Sequence, residues 1–192
     1  KKIFLTHMKY KFTNPIYDEL KKLKLIKDKN LYIISSKTRD KKLNVFKDKH
    51  SNIIFLQKYL TSINYYASIK YGGSKIKTSK GIVNTPEIAD DVRRAEHFKK
   101  VCKKKDILDF GCGWGNFLLN IKSAKSLSGV ELREECLKKI SKLKNKIRVK
   151  KNIKDFEKKF DVITMFHVLE HIPHQIQTLK IIKKNLKKNG KL

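Results

Sequence analysis

The stretch Asp106-Ile-Leu-Asp-Phe-Gly-Cys-Gly-Trp-Gly-Asn116 decides the fold. Its apolar residues Ile107, Leu108 and Phe110 are typical of a buried strand in a parallel sheet. The alternating glycines that follow allow backbone conformations that a tight turn against a ligand requires. Asn116 is expected to cap a helix, because apolar residues follow it at helical spacing. Strand, glycine turn and helix N-terminus together predict a nucleotide-type site at the carboxyl end of a strand.

The chain around this stretch alternates between helix and strand patterns from residue 85 onward. Thr85 and Pro86 have the residue types of an N-cap and a first helical position, and this helix leads into the glycine strand. Further strands are predicted at 126–131, 147–149 and 160–166, helices at 133–143 and 172–186, and the start of a fifth strand at 187–192. This alternation predicts an α/β fold with a doubly wound, mostly parallel sheet. We expect the domain at 85–192 to be incomplete at its C-terminal end.

Residues 1–80 have a different character. A short helix is predicted at 17–26, and short strands separated by charged turns are predicted at 31–35, 43–46 and 53–56. This pattern predicts a small N-terminal α+β cap, or substrate-side module, joined to the second domain by a polar linker.

The net charge of +29 raises the question of a nucleic-acid partner. However, only five of the 47 basic residues are arginines, the preferred readers of bases and phosphates, and the lysines are spread over nearly every segment. An AT-rich coding sequence explains this composition without selection for binding. A nucleic-acid partner is therefore open but not favoured.

Cys102, Cys112 and Cys136 have neither C-x-x-C spacing nor an even count, which fits a reducing compartment and argues against a zinc knuckle or a disulfide framework. No apolar run approaches the ~18 residues of a membrane span, and no secretory signal is visible. The sequence therefore predicts a cytoplasmic protein. Because the chain begins at Lys1, we expect an upstream segment to be missing.

Three motifs in order resemble the class I S-adenosylmethionine (SAM) dependent methyltransferases, over residues 85–192. The turn from Asp109 to Gly115 resembles their motif I, and Glu131 ends the next strand, where a carboxylate can accept hydrogen bonds from a ribose. The segment 160–174, with its His-Val-Leu-Glu-His run, resembles the region after strand 4 in small-molecule methyltransferases. The resemblance implies a Rossmann-like sheet, SAM as cofactor, and a small-molecule acceptor such as a sugar, a quinone precursor or a lipid intermediate.

The resemblance also implies residue roles. The amino-acid end of SAM would lie against Asp109 and the glycines, the ribose against Glu131, and the adenine against Leu132. The full set implied for cofactor binding is Asp109, Gly111, Cys112, Gly113, Trp114, Gly115, Glu131, Leu132, Asn152, Ile153 and Phe166. His167 and His171 are candidate general bases for an acceptor that loses a proton. The alternative, that His171 and Glu170 merely hold the loop by hydrogen bonds, stays open.

Other interpretations remain. An NAD enzyme would use the spacing G-x-G-x-x-G, which the glycines here do not follow. His167 to His171 fits the H-x-x-E-H pattern of inverzincin metalloproteases, but it starts at the end of a strand, and Pro173 limits any helix containing it. An RNA-directed methyltransferase and a non-catalytic SAM-binding or partner-binding module are the remaining alternatives. The oligomeric state is not predicted.

Overall fold

The computed structural model describes residues 10–38, 42–59, 76–78, 81–83, 86–143 and 147–192. The chain divides into two compact units. The first, called the N-terminal unit, comprises Lys1–Thr61 with Ile172–Thr178, and the second, called the sheet unit, comprises Ser62–His171 with Leu179–Leu192.

The described helices are α1 (Pro15–Lys22), α2 (Pro86–Cys102), α3 (Asn116–Asn120), α4 (Glu134–Ser141) and α5 (Gln175–Asn185). The described strands are β1 (Leu31–Ser35), β2 (Val45–Asp48), β3 (Ile54–Leu56), β4 (Ile76–Thr78), β5 (Gly81–Val83), β6 (Asp106–Phe110), β7 (Ser126–Val130), β8 (Arg148–Lys150), β9 (Phe160–Thr164) and β10 (Leu186–Lys191). Single 3-10 turns lie at Asp28–Asn30, Ile153–Asp155 and Leu169–His171.

The sheet unit contains a five-stranded parallel sheet in the order β10-β9-β6-β7-β8. The glycine strand β6 is central, and the chain order reverses between β6 and β9. In open α/β sheets, ligands bind at the carboxyl edge beside this reversal. Asp109 pairs in register with Gly129 of β7 and with Thr164 of β9. The α/β, Rossmann-like parallel sheet predicted from the sequence is therefore confirmed.

Apolar side chains cover both faces of this sheet. Ile107 and Leu108 are both fully buried, yet they belong to different core clusters because successive residues of a strand point to opposite faces. Val162 and Ile163 on β9 divide in the same way. Full burial of each such side chain contributes roughly 1.5–3 kcal/mol. Packing on both faces holds β6 in place along its own axis, and it thereby positions the glycines that follow the strand.

The N-terminal unit contains an antiparallel sheet in the order β1-β2-β3, together with α1. Aromatic rings fill its core, and the members of this cluster are Tyr10, Phe12, Tyr17, Phe46 and Phe55. Edge-to-face and stacked ring pairs of this kind add to the stability that burial provides. The unit therefore has the α+β composition that the sequence predicted.

Two predicted helix caps have different outcomes. The cap of α3 is Gly115, with φ of 76°, and Asn116 is the first helical residue, so the prediction that Asn116 is the cap is wrong by one position. The glycine takes this place because the turn enters the helix in the left-handed conformation. The structure begins α2 at Pro86, as expected, whereas Thr85 lies outside the described residues.

A polar network joins four strands at the amino edge of the sheet. Asp106 accepts hydrogen bonds from Lys187 Nζ at 2.8 Å, Ser126 Oγ at 2.6 Å and Lys158 Nζ at 3.1 Å. Lys187 also pairs with Asp161 at 2.9 Å, and Asp161 accepts the Asp106 backbone N–H at 2.8 Å. The hydrogen bond from Lys187 is the main cause that lowers the pKa of Asp106 well below its ordinary value. The Asp106 N–H likewise lowers the pKa of Asp161.

We expect this network to make the fold sensitive to acid. A carboxyl whose pKa is lower in the folded than in the unfolded state stabilises the fold above its unfolded value of about 4, and this contribution is lost as the pH falls. The free energy of unfolding in urea should therefore decrease between roughly pH 5 and pH 2. Asp106→Asn should flatten this dependence, whereas Asp155→Asn, at an exposed site outside the network, should not. If the unfolding free energy of the two variants depended equally on pH, the assignment of the acid sensitivity to Asp106 would be contradicted.

Candidate functional site

The glycine turn lies at the carboxyl end of β6. Gly111, Gly113 and Gly115 all have positive φ, at 83°, 55° and 76°. The backbone N–H groups of Gly111 and Cys112 both donate to the Val130 carbonyl, at 2.8 and 3.0 Å, which holds the turn against the end of β7. A Cβ on Gly111 would lie only 2.4 Å from Cγ2 of Val168. Both backbone conformation and close packing therefore require glycine at position 111.

Glu131 comes directly after β7 and is buried beside this turn. Its Oε2 accepts the Gly113 N–H at 2.8 Å. Its Oε1 accepts the N–H of Leu132 at 2.9 Å and that of Arg133 at 3.0 Å. The structure therefore brings the first two motifs of the sequence into direct contact, although 18 residues separate Gly113 from Glu131.

Arg133 also belongs to this site, although sequence reasoning did not single it out. Its side chain is buried, and its Nε lies 3.3 Å from Glu131 Oε1. Burial alone would lower the pKa of Arg133, but the Glu131 carboxylate outweighs burial and raises it. The guanidinium lies 5.5 Å from the centre of the Trp114 ring, and Lys139 Nζ lies 4.7 Å from it. Two cations therefore contact the predicted site residue Trp114.

Asp109, the last buried residue of β6, accepts a hydrogen bond from Thr164 Oγ1 at 2.7 Å. Burial raises its pKa to about 7, and the Asp91 carboxylate acts in the same direction. The Thr164 hydrogen bond and the Arg94 charge act in the opposite direction. Sequence reasoning did not identify Thr164 as a site residue. The signal that could have identified it is a hydroxyl inside an otherwise apolar strand.

Phe166 follows β9 and packs against the edge of the Phe117 ring, with 4.9 Å between ring centres. The Arg94 guanidinium, on α2, lies 5.0 Å from the centre of the Phe166 ring. Arg94 forms ion pairs with Asp90 and, at 3.2 Å, with Asp91. Helix α2 therefore contributes a charged group next to Phe166 and Asp109. A charged residue on a helix is ordinarily solvated, but the Arg94 side chain is only 14% exposed.

His167 has a left-handed backbone, with φ of 52°. Its neighbours Phe166 and Val168 pack inward, whereas the His167 side chain is 73% exposed, with Nδ1 3.4 Å from Glu170 Oε1. His171 lies in the following 3-10 turn, where its backbone N–H donates to the Val168 carbonyl at 2.9 Å. The structure therefore places His167 at the carboxyl edge with its ring outward and its Glu170 partner beside it.

Four further predicted residues differ in their burial. The side chains of Cys112 and Ile153 are buried in core clusters, and burial raises the pKa of the Cys112 thiol. Their side chains therefore form the support of the site rather than a lining. Leu132 is half-buried, and the exposed Asn152 accepts the Lys154 N–H at 3.0 Å through its own side chain.

Within the described ranges, no three or more His, Cys, Asp or Glu side chains come together as a metal site would require. The His167 to His171 segment does not form the continuous helix that the metalloprotease pattern needs. In the same parts of the chain, no helix combines the length and the apolar character of a membrane span.

We expect replacement of His167 by glycine to stabilise the fold. The left-handed conformation is disfavoured for residues with a Cβ, and glycine should recover a net gain of roughly 0.5 kcal/mol after its larger unfolded-state entropy. The matched control is His97→Gly, at an exposed position within helix α2, which should cost roughly 0.5–1 kcal/mol. Urea unfolding of both variants measures whether each substitution raises or lowers the free energy of unfolding. A loss of stability in both would contradict the strain at His167.

Comparison with known proteins identifies the family to which this chain belongs. A family model described as "Methyltransferase domain" matches residues 84–192, more than half of the 192-residue chain. The chain therefore belongs to this methyltransferase family, and the resemblance to SAM-dependent methyltransferases predicted from the sequence is confirmed. A search of curated proteins found no match.

Solved methyltransferase structures are also similar. The plantazolicin methyltransferase BpumL, in complex with a pentazolic desmethylPZN analog and SAH, is 26% identical, with a TM-score of 0.43, over 54% of this chain and 45% of that one. CcbJ from Streptomyces caelestis is 19% identical, with a TM-score of 0.45, over 56% and 50%. Coclaurine N-methyltransferase, bound to N-methylheliamine and SAH, is 18% identical, with a TM-score of 0.48, over 63% and 39%. The chain therefore spans half or less of the length of these proteins.

Proposed function

We propose that this protein transfers a methyl group from SAM to a small-molecule acceptor. The observation that carries the proposal is the contact between the glycine turn and Glu131, at the carboxyl edge of the central strand. This contact places a hydrogen-bond acceptor for ribose hydroxyls next to a turn whose three glycines lack side chains, a combination that suits a nucleoside ligand. SAM, when bound, would supply a methyl group on a sulfonium centre.

The charges of the site suit the rest of SAM. Its methionine part carries an ammonium and a carboxylate. Asp109 is the acidic group beneath the turn and would hold the ammonium, with Gly111, Gly113 and Gly115 around the same part of the ligand. Arg94, which contacts Phe166 and acts electrostatically on Asp109, has the charge that the ligand carboxylate requires. Leu132, Trp114 and the backbone at Asn152 and Ile153 would enclose the adenine.

The residues after β9 would serve the methyl transfer itself. Phe166 would cover the reacting centre and exclude water, which favours the in-line displacement that methyl transfer requires. His167 would accept the proton of the acceptor, because its ring points away from the core and a neutral imidazole nitrogen is a proton acceptor. His171 lies one 3-10 turn further on, and we assign it the role of supporting this loop.

Titration calorimetry with S-adenosylhomocysteine tests the cofactor assignment, with NAD and zinc as control ligands. We expect binding of S-adenosylhomocysteine alone. Glu131→Gln should weaken this binding by about tenfold or more, because an amide accepts hydrogen bonds less strongly than a carboxylate. Glu157→Gln removes an exposed carboxylate outside the site and should leave the affinity unchanged. Binding of NAD instead, or equal affinity of the two variants, would contradict the proposal.

An RNA acceptor is the second candidate, and the net charge of +29 is the observation that favours it. Nonspecific attraction to phosphates weakens steeply with salt and shows little preference among sequences. Binding that is tight and sequence-selective at physiological salt would favour an RNA substrate over a small molecule.

The other assignments follow from these proposals. We propose that residues 1–80 act as a cap or substrate-side module for the methyltransferase domain at 85–192. We also propose a cytoplasmic location, where the free thiols of Cys102, Cys112 and Cys136 would stay reduced.

A further inference from the structure

A pocket of about 300 Å³ opens on the surface of the N-terminal unit. Its polar lining comes from the segment after α1, which provides Lys24, Lys27, Lys29 and Asn30, and from the turn between β2 and β3, which provides His50 and Ser51. Small-molecule sites begin at about this volume, roughly 300 Å³. The pocket is therefore suited to a small group rather than to a large ligand.

Asp48 holds the two lining segments together. Its buried carboxylate accepts three backbone N–H groups, from Lys27 at 3.0 Å, His50 at 2.8 Å and Ser51 at 2.9 Å. Although burial opposes ionisation, these donors lower the pKa of Asp48 below its ordinary value. The only acidic group of the lining is therefore engaged by the backbone and does not pair with a lysine.

The three lysines of the pocket are exposed, and no ion pair in the described part of the chain includes them. Lys21, one turn earlier in α1, shows the contrast, since its Nζ lies 2.7 Å from Asp28. The pocket therefore carries a net positive charge. The Ser51 side chain belongs to the Asp48 network, because its Oγ accepts the Ile53 N–H at 3.3 Å and its hydroxyl hydrogen-bonds the Asp48 carboxylate.

Lys24 occupies a position that ordinarily belongs to glycine. It follows the C-cap of α1 with φ of 58°, and the Leu25 N–H donates to the Leu20 carbonyl at 3.0 Å, as in a Schellman motif. A lysine in this conformation costs stability that glycine would not. Backbone strain kept beside a pocket is a reason to look for a function there. Leu23 and Leu25, on either side of Lys24, are 44% and 46% exposed.

We propose that this pocket binds a phosphate group, carried either by a soluble phosphate ester or by the headgroup of an anionic lipid. Lysine ammonium groups are point charges that suit phosphate oxygens, and the Asn30 amide supplies a further donor. The exposed leucines beside Lys24 would contact acyl chains if the phosphate belongs to a lipid.

The first experiment measures binding of inorganic pyrophosphate to the whole protein by calorimetry. The variant Lys24→Gln/Lys27→Gln/Lys29→Gln should bind at least about tenfold more weakly, because it loses three charged contacts. The control Lys11→Gln/Lys37→Gln/Lys58→Gln removes the same charge from exposed positions of the same unit outside the pocket, and it should bind like the wild type. Equal weakening in both variants would show only a general effect of charge and would overturn the proposal.

The second experiment identifies the source of the phosphate. Vesicles of phosphatidylcholine with about 20% phosphatidic acid are compared with vesicles of phosphatidylcholine alone by flotation. Binding only to the anionic vesicles, lost in the pocket variant and reduced by Leu23→Ser/Leu25→Ser, would assign the site to lipid. Binding of pyrophosphate without vesicle binding would assign it to soluble esters. Binding of neither probe by the wild-type protein would overturn the proposal.

Discussion

Gly111→Ala should destabilise the sheet unit by about 3 kcal/mol. The left-handed backbone at position 111 accounts for about 1–2 kcal/mol of this loss. The remainder comes from the 2.4 Å approach of the new Cβ to Val168, which forces the loop after β9 to move. Urea unfolding measures the total.

A double-mutant cycle separates the two causes. Val168→Ala removes the methyl group that the new Cβ would meet, so Gly111→Ala should cost less in that background, and only the backbone contribution should remain. The coupling should amount to about 1 kcal/mol or more. Additive effects would mean that Val168 does not pack on Gly111, and would contradict the close contact between the glycine turn and this loop.

Glu131→Ala should cost about 3 kcal/mol in unfolding free energy. The reason is Arg133, whose side chain is only 8% exposed and would lose its carboxylate partner while remaining buried. Three N–H donors, from Gly113, Leu132 and Arg133, would lose their acceptor as well.

The control for this loss is Glu131→Ala/Arg133→Leu. Removing the buried cation should recover most of the stability, because a buried apolar side chain needs no partner. The double variant should nevertheless fail to bind S-adenosylhomocysteine, which separates the role of Glu131 in the fold from its proposed role in the ligand site. A double variant no more stable than Glu131→Ala would contradict the pairing of Glu131 with Arg133.

The sequence predicted those features of the fold that depend on local patterns. The apolar run at Ile107 and Leu108 gave the central strand, and the glycines gave the turn, because each depends on residues close in the chain. The proximity of Glu131 to the turn was also predictable, since parallel strands that are neighbours end at the same edge of the sheet.

Other parts of the site depend on packing and on register. The hydrogen bond of Thr164 to Asp109 joins residues 55 apart and exists only because β6 and β9 are neighbours in that register. Sequence could not show that Cys112 and Ile153 turn into the core, because their orientation follows from the path of the turn and of the 3-10 helix. Arg94 and Arg133 were hidden for a simpler reason. A charged residue ordinarily belongs to the surface, and only the three-dimensional structure shows Arg94 half-buried and Arg133 buried, each beside a carboxylate.

The buried Asp109 gives the protein a response to acidity. Because burial raises the pKa of Asp109 to about 7, this carboxyl exchanges its proton near neutral pH. In the role proposed for Asp109, a ligand cation would favour the ionised form, so each cofactor that enters a protonated site would release a proton to the solvent. Cofactor affinity would then rise with pH up to about 7 and stay constant above it. Modest acidification of the surroundings would lower cofactor occupancy, and with it the rate of methylation, without any change in cofactor concentration.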